Sequence, residues 1–118
     1  MRAERKAPEA TSDVSTVLTA KYFRALGDPT RLRILKLLMT GPLTVSELIR
    51  ILGVPQSNVS NHLACLRWCG FVSSENRGKW THYSVSDPQI RAIVEAGRAL
   101  VSTNAEHLAA CTRISGDE

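Results

Sequence analysis

Cys65 and Cys69 stand four residues apart in the stretch Asn61-His62-Leu63-Ala64-Cys65-Leu66-Arg67-Trp68-Cys69-Gly70. On a helix that spacing puts their Cβ atoms about 6 Å apart on one face, near enough for two thiolates to share one metal ion. Sulfur donors select soft ions, so cadmium, lead, mercury or trivalent arsenic would fit, and magnesium or manganese would not. The third cysteine, Cys111, lies 42 residues beyond Cys69. An odd number of thiols in a reducing compartment is no disulfide framework, which leaves metal binding, redox chemistry or plain burial as their roles. Two features favour ligation. Neither Cys65 nor Cys69 falls on the apolar line Val59, Leu63, Leu66, and Cys69 sits at a helix end, where the dipole favours a bound cation. A redox regulator is the alternative; a disulfide between i and i+4 is awkward, so Cys111 would have to pair with one of the other two.

A second set of side chains precedes the thiols. Gln56, Ser57, Asn58, Ser60, Asn61 and His62 form a run of amides, hydroxyls and one imidazole with no charged residue. Asn and Gln bond bidentately to adenine and Ser donates to bases or phosphate, so these groups suit DNA reading. A helix start without carboxylates also keeps its partial positive charge free for a phosphate. Arg77 and Lys79, on either side of Gly78, add cations suited to a neighbouring minor groove or its phosphates. His62, His82 and His107 are scattered, and no carboxylate pair or Gly-rich phosphate loop accompanies them, so no catalytic residue is expected. His62 is expected to face DNA or to cap its helix, His82 to lie in a wing, and Trp68 and Trp80 to pack near that wing.

The elements that must position these groups follow from periodicity and punctuation. Val14, Val17, Leu18, Tyr22 and Leu26 recur at helical spacing, giving a first helix with one apolar stripe. Asp28 and Pro29 open a second helix, which Gly41-Pro42 stops. Thr44 and Glu47 have the spacing of a capping box for a third helix, closed by Gly53. A fourth helix runs from about Gln56 to Cys69, and the pair reads as a helix-turn-helix whose second member enters a major groove. Phe71-Val72 and Trp80 to Val85 then form a two-stranded wing around the turn Asn76-Arg77-Gly78-Lys79. Ser86 or Asp87, with Pro88, starts a long final helix carrying Ile90, Ile93, Val94, Leu100, Val101 and Leu108.

Composition bounds the rest. The 118 residues carry a formal charge of +4, concentrated in the middle of the chain, and suffice for one domain. Residues 1–11 read as a disordered tail, 12–112 as the DNA-binding and dimerisation domain, and 113–118 as a flexible end. With no signal peptide and no apolar run long enough for a membrane, the expectation is a cytoplasmic protein with neither a membrane partner nor a small-molecule substrate. The expected fold is α+β, mostly α: a winged helix-turn-helix of order ααααββα. It is expected to be homodimeric, because one chain of this size cannot cover the apolar stripes of both outer helices.

The runs Ala25-Leu26-Gly27-Asp28-Pro29-Thr30-Arg31-Leu32-Arg33-Ile34-Leu35 and Gln56-Ser57-Asn58-Val59-Ser60-Asn61-His62-Leu63 resemble the ArsR/SmtB family of metal-responsive repressors, over roughly residues 14 to 100. The resemblance implies winged-helix homodimers, joined through their first and last helices, that bind double-stranded operator DNA at an inverted repeat and lose affinity when metal binds. The two cysteines on the reading helix are most similar to the cadmium- and lead-sensing CmtR branch, which draws a third thiolate from its C-terminal region; Cys111 is the matching residue. The resemblance thus implies Cys65, Cys69 and Cys111 as metal ligands and cadmium or lead as the inducer, with mercury or trivalent arsenic behind them. Other family patterns are missing: there is no paired-cysteine motif between Thr44 and Leu48, and Gln89 stands where a final-helix histidine would be.

Overall fold

The computed structural model describes residues 13–111, so the tails expected at 1–11 and 113–118 lie outside the described residues. The elements are α1 (Val14–Ala25), α2 (Pro29–Leu38), β1 (Leu43–Thr44), α3 (Val45–Leu52), α4 (Gln56–Trp68), β2 (Val72–Arg77), β3 (Trp80–Val85) and α5 (Pro88–Ala110).

Local chemistry sets most boundaries. Asp28 caps α2 by accepting the Arg31 N–H at 3.0 Å, with Pro29 as its first residue. Thr44 and Glu47 make the reciprocal box at the start of α3, the Glu47 N–H donating to Thr44 Oγ1 at 3.2 Å and the Thr44 N–H to Glu47 Oε1 at 2.9 Å. Gly53 ends α3 at φ 70°, a left-handed conformation that glycine adopts without steric cost. Asp87 caps α5 through the Gln89 N–H.

The wing differs from expectation in having a third strand. β1 joins β3 antiparallel, Leu43 opposite Tyr83 and Thr44 opposite His82, so the sheet order is β1-β3-β2. A two-residue strand has no alternation to reveal it, and Thr44 serves as its last residue and as the α3 cap together. The hairpin is also tighter than expected: Asn76 and Arg77 belong to β2, Arg77 pairs with Trp80, and only Gly78-Lys79 turn. A second difference lies in α5, which leaves helical geometry at Asn104 (φ −123°, ψ 19°). There Thr103 Oγ1 and Asn104 Nδ2 both donate to the Leu100 carbonyl at 3.0 Å, side-chain bonds that compete with the backbone ladder and bend helices.

The core lies where α2, α3 and α4 meet the wing. Ile34, Leu35, Leu48, Val59, Leu66 and Phe71 are fully buried, and Ile90 joins them from α5. The outer helices contribute little. From α1 only Ala25 is buried, while Val14, Val17, Leu18 and Phe23 are exposed; from α5, Leu100, Val101 and Leu108 are exposed. Between them runs an apolar groove of about 590 Å³ lined by Phe23, Leu26, Leu32, Ile93, Val94 and Val101. Among the described residues no helix is long and apolar enough to cross a membrane.

Candidate DNA interface and thiol site

Three sides of α4 do three different things. Val59, Leu63 and Leu66 face the core, and Ser57, Ser60, Asn61, Ala64, Arg67 and Trp68 are exposed on the opposite side. At 3.6 residues per turn, Asn58, His62, Cys65 and Cys69 form the flank between them.

The start of α4 has Pro55 as its cap residue, no capping side chain and no acid in the first turn. Gln56, Ser57, Asn58, Ser60 and Asn61 are therefore exposed around a helix end whose partial positive charge is not neutralised. Arg77 and Lys79 are exposed at the wing tip, where Arg77 reaches Glu75 at 3.3 Å. Both partners are solvated, so that pair is easily exchanged for a phosphate. Trp80 is half-exposed and lines a small cleft with Val45, Ile49 and Gln56, which brings the wing beside the start of α4.

Two expectations are corrected. Trp68 does not pack near the wing: it is 89% exposed, because it falls on the outward line of Ser57, Asn61 and Ala64. His62, expected to face DNA or cap its helix, is half-buried and turned toward α2. Its Nε2 lies 3.8 Å from Asp28 Oδ2 and its Nδ1 3.4 Å from Arg31 Nη1. His82 does lie in the wing, opposite Thr44 and Glu75, with Nδ1 buried and unpartnered.

Cys65 and Cys69 are half-buried and packed against the core edge. Cys69 caps the end of α4, its N–H donating to the Cys65 carbonyl at 3.0 Å. Burial pushes the Cys69 thiol above its ordinary value, the Cys65 thiol adds to this, and the Lys21 and Arg31 cations pull the other way. Cys111 ends α5 in a shallow cleft with Leu100, Asn104, His107 and Leu108. Among the described residues no three His, Cys, Asp or Glu side chains converge, so the chain brings Cys65 and Cys69 together and leaves Cys111 apart. The two sulfurs form a soft pair that fits a thiophilic ion in donor type but is short of a full set. Sequence reasoning missed Arg31 and Lys21 as neighbours of this pair, since both come from helices distant along the chain.

Residues 28–74 match the bacterial regulatory proteins of the arsR family. Over 99 residues the chain is 46% identical to the probable mercury resistance operon repressor of Streptomyces lividans, covering 84% of this chain and 79% of that one. It is 35% identical over 109 residues to the HTH-type transcriptional regulator CmtR of Mycobacterium tuberculosis, 92% of each chain. A homodimeric winged helix-turn-helix DNA-binding domain from Mycobacterium bovis shares the fold, with a TM-score of 0.74 at 21% identity over 86% of this chain and 95% of that one. The α3–α4 helix pair, the wing and these likenesses describe a winged helix-turn-helix transcriptional regulator, and the chain belongs to the arsR family of bacterial regulatory proteins.

Proposed function

We propose that the chain is a metal-sensing repressor that binds operator DNA as a homodimer and releases it when a soft thiophilic ion binds Cys65, Cys69 and Cys111. The observation that carries this reading is the half-buried thiol pair on the flank of the helix whose exposed start presents uncharged amides and hydroxyls. Gln56, Ser57, Asn58, Ser60 and Asn61 read base edges and nearby phosphates, Arg77 and Lys79 hold the backbone, and His62 supports the reading helix from behind. The exposed stripes of α1 and α5 form the dimer interface, over residues 14–26 and 89–108, and Cys111 completes the site from the partner subunit, since one chain does not gather the three thiols. Two-fold symmetry then asks for an inverted repeat with half-sites about 34–36 Å apart, or a multiple of that distance.

Cadmium and lead fit the three-thiolate pattern, and mercury also fits it and stands in the name of the 46% identical relative. The redox alternative is weaker, because Cys65 and Cys69 stand at i and i+4 on one helix, where a disulfide is awkward. The test is a competitive titration with cadmium, lead and mercury, followed by ultraviolet thiolate charge-transfer bands and by operator release. Release by peroxide and not by any of the three ions would sink the reading.

A further inference from the structure

Tryptophan is highly buried on average, yet Trp68 lies almost wholly in water. Its place on α4 says what it faces. Ser57, Asn61, Ala64 and Trp68 follow one another at spacings of four, three and four, a single line along the exposed side of the helix. Arg67 stands seven residues after Ser60 on the neighbouring line, is exposed, and shares a cleft with Ala64 and Trp68. No carboxylate occurs from Gln56 to Trp68, and among the described residues no acid pairs with Arg67. Arg67 also lies in the last turn, where its charge offsets the negative helix end that would repel a phosphate. The face that starts with amides and hydroxyls therefore ends in an indole and a guanidinium.

We propose that Trp68 and Arg67 anchor α4 to the DNA backbone: while the start of the helix reads base edges, these two side chains close on the sugar-phosphate strand at the rim of the same groove. This rests on the reading of α4 as the helix that enters the major groove. Eleven residues at 1.5 Å each put Trp68 about 16 Å beyond Ser57 along the axis, against a major groove about 12 Å wide. A helix whose first turns lie among the bases has thus left them by its last turn and meets the backbone instead. The chemistry fits that strand. The indole N–H only donates and an ionised phosphate oxygen only accepts, while the apolar body of the ring covers a deoxyribose. Arg67 presents a fork of donors to a phosphate beside it. Contacts of this kind fix register and carry no sequence information. A tryptophan that anchors a protein partner is ringed by side chains that exclude water, and here the cleft offers only Ala64 and Arg67 among the described residues.

The experiment titrates the full chain with operator and scrambled duplexes at several salt concentrations, as wild type, Trp68→Ala and Arg67→Ala, with Asn58→Ala and Asn61→Ala marking the reading face. Both anchors are exposed, so neither replacement should disturb the fold. Trp68→Ala should weaken both duplexes alike by about tenfold, the worth of one hydrogen bond to a charged group, and leave the salt slope unchanged. Arg67→Ala should weaken both and reduce the slope by about one. The Trp68 Nε1–H resonance, identified by its absence in Trp68→Phe, should shift when either duplex is added. Wild-type affinity in Trp68→Ala, or a loss confined to the operator, overturns the anchor. A resonance that shifts on concentrating the protein without DNA, and not on adding duplex, assigns Trp68 to a protein contact and overturns it as well. Where Asn58→Ala or Asn61→Ala relaxes operator preference, these outcomes remove the anchor alone; where both keep the wild-type preference, the reading of α4 falls with it.

Discussion

Tyr22 lies flat against Phe71, their ring centroids 4.1 Å apart and their planes inclined by 25°. Phe71 is fully buried at the entry to the wing, so this stack attaches α1 to the body of the domain, and it sits close enough to Cys69 for that thiolate to raise the Tyr22 hydroxyl pKa, after burial and Asp87. Phe71→Ala should therefore cost about 3–5 kcal/mol. Tyr22→Leu, which keeps most of the apolar volume, should lose about 0.5–1.5 kcal/mol of ring-ring interaction. Urea midpoints measure both, and a Tyr22→Leu midpoint equal to wild type would mean that the stack contributes only buried area.

Acid should weaken the α2–α4 junction. Burial alone would raise the Asp28 carboxyl, but the Arg31 N–H, the His62 ring, the Arg31 guanidinium and the Thr30 N–H together hold it below its ordinary 3.8. A depressed folded-state pKa contributes stability that is fully present above 3.8 and is lost as pH falls through the lower folded value. Asp28→Asn still caps a helix but has no charge to titrate, so it should flatten the stability profile in that acid window. Unfolding by urea between about pH 5 and 2.5 compares the two, and parallel profiles would assign the dependence to other carboxylates.

Base readout and backbone attraction should separate by mutation. Asn58→Ala and Asn61→Ala should each weaken specific binding by about 1–3 kcal/mol and relax sequence preference. Lys79→Ala should weaken binding to every duplex alike and reduce the salt slope by about one. Titrations of operator and scrambled duplexes at several salt concentrations distinguish the classes; unchanged operator preference in both Asn variants would move the reading face elsewhere.

Serine in place of each cysteine should leave DNA binding intact. Cys65→Ser and Cys69→Ser should lose tight cadmium binding, because each removes half of the thiol pair on α4. Cys111→Ser should still bind the ion more weakly yet release DNA poorly, since coupling is a difference in metal affinity between free and DNA-bound states. Operator release at saturating cadmium is the measurement. Full release by Cys111→Ser removes Cys111 from the mechanism.

Exposed apolar residues on α1 and α5 should hold the dimer. Leu18→Glu and Leu100→Glu place charge at positions 59% and 65% exposed in one chain, so the monomer should fold unaffected while sedimentation at micromolar concentration shifts to the monomer. A wild-type monomer under those conditions would remove the interface altogether.

What was legible in the sequence was local. The Asp28, Thr44-Glu47 and Asp87 caps and the Gly53 stop lie within a few residues of the bonds they make, so the helix order followed from them. β1 escaped because two residues carry no period. The run Ser102-Thr103-Asn104 did carry a signal for the bend in α5, three side chains in succession able to bond backward. Trp68 misled through residue type, although its place on the Ala64 line already pointed to solvent. The Asp28-Arg31-His62 cluster was out of reach because it joins residues 31 or more apart in the chain, a distance that only tertiary packing closes.

Trp68 gives the molecule an optical reporter of its own. Its indole is almost wholly in water, one residue from Cys69 and three from Cys65, so its fluorescence belongs at the long-wavelength, solvent-relaxed end of the tryptophan range. A heavy ion seated on the two sulfurs would bind on the same helical turn and, if it quenches the ring, would dim that emission. With Trp80 changed to Phe, excitation at the red edge of the absorption band reads a single tryptophan, and occupancy of the thiol pair becomes testable in a cuvette without a dye.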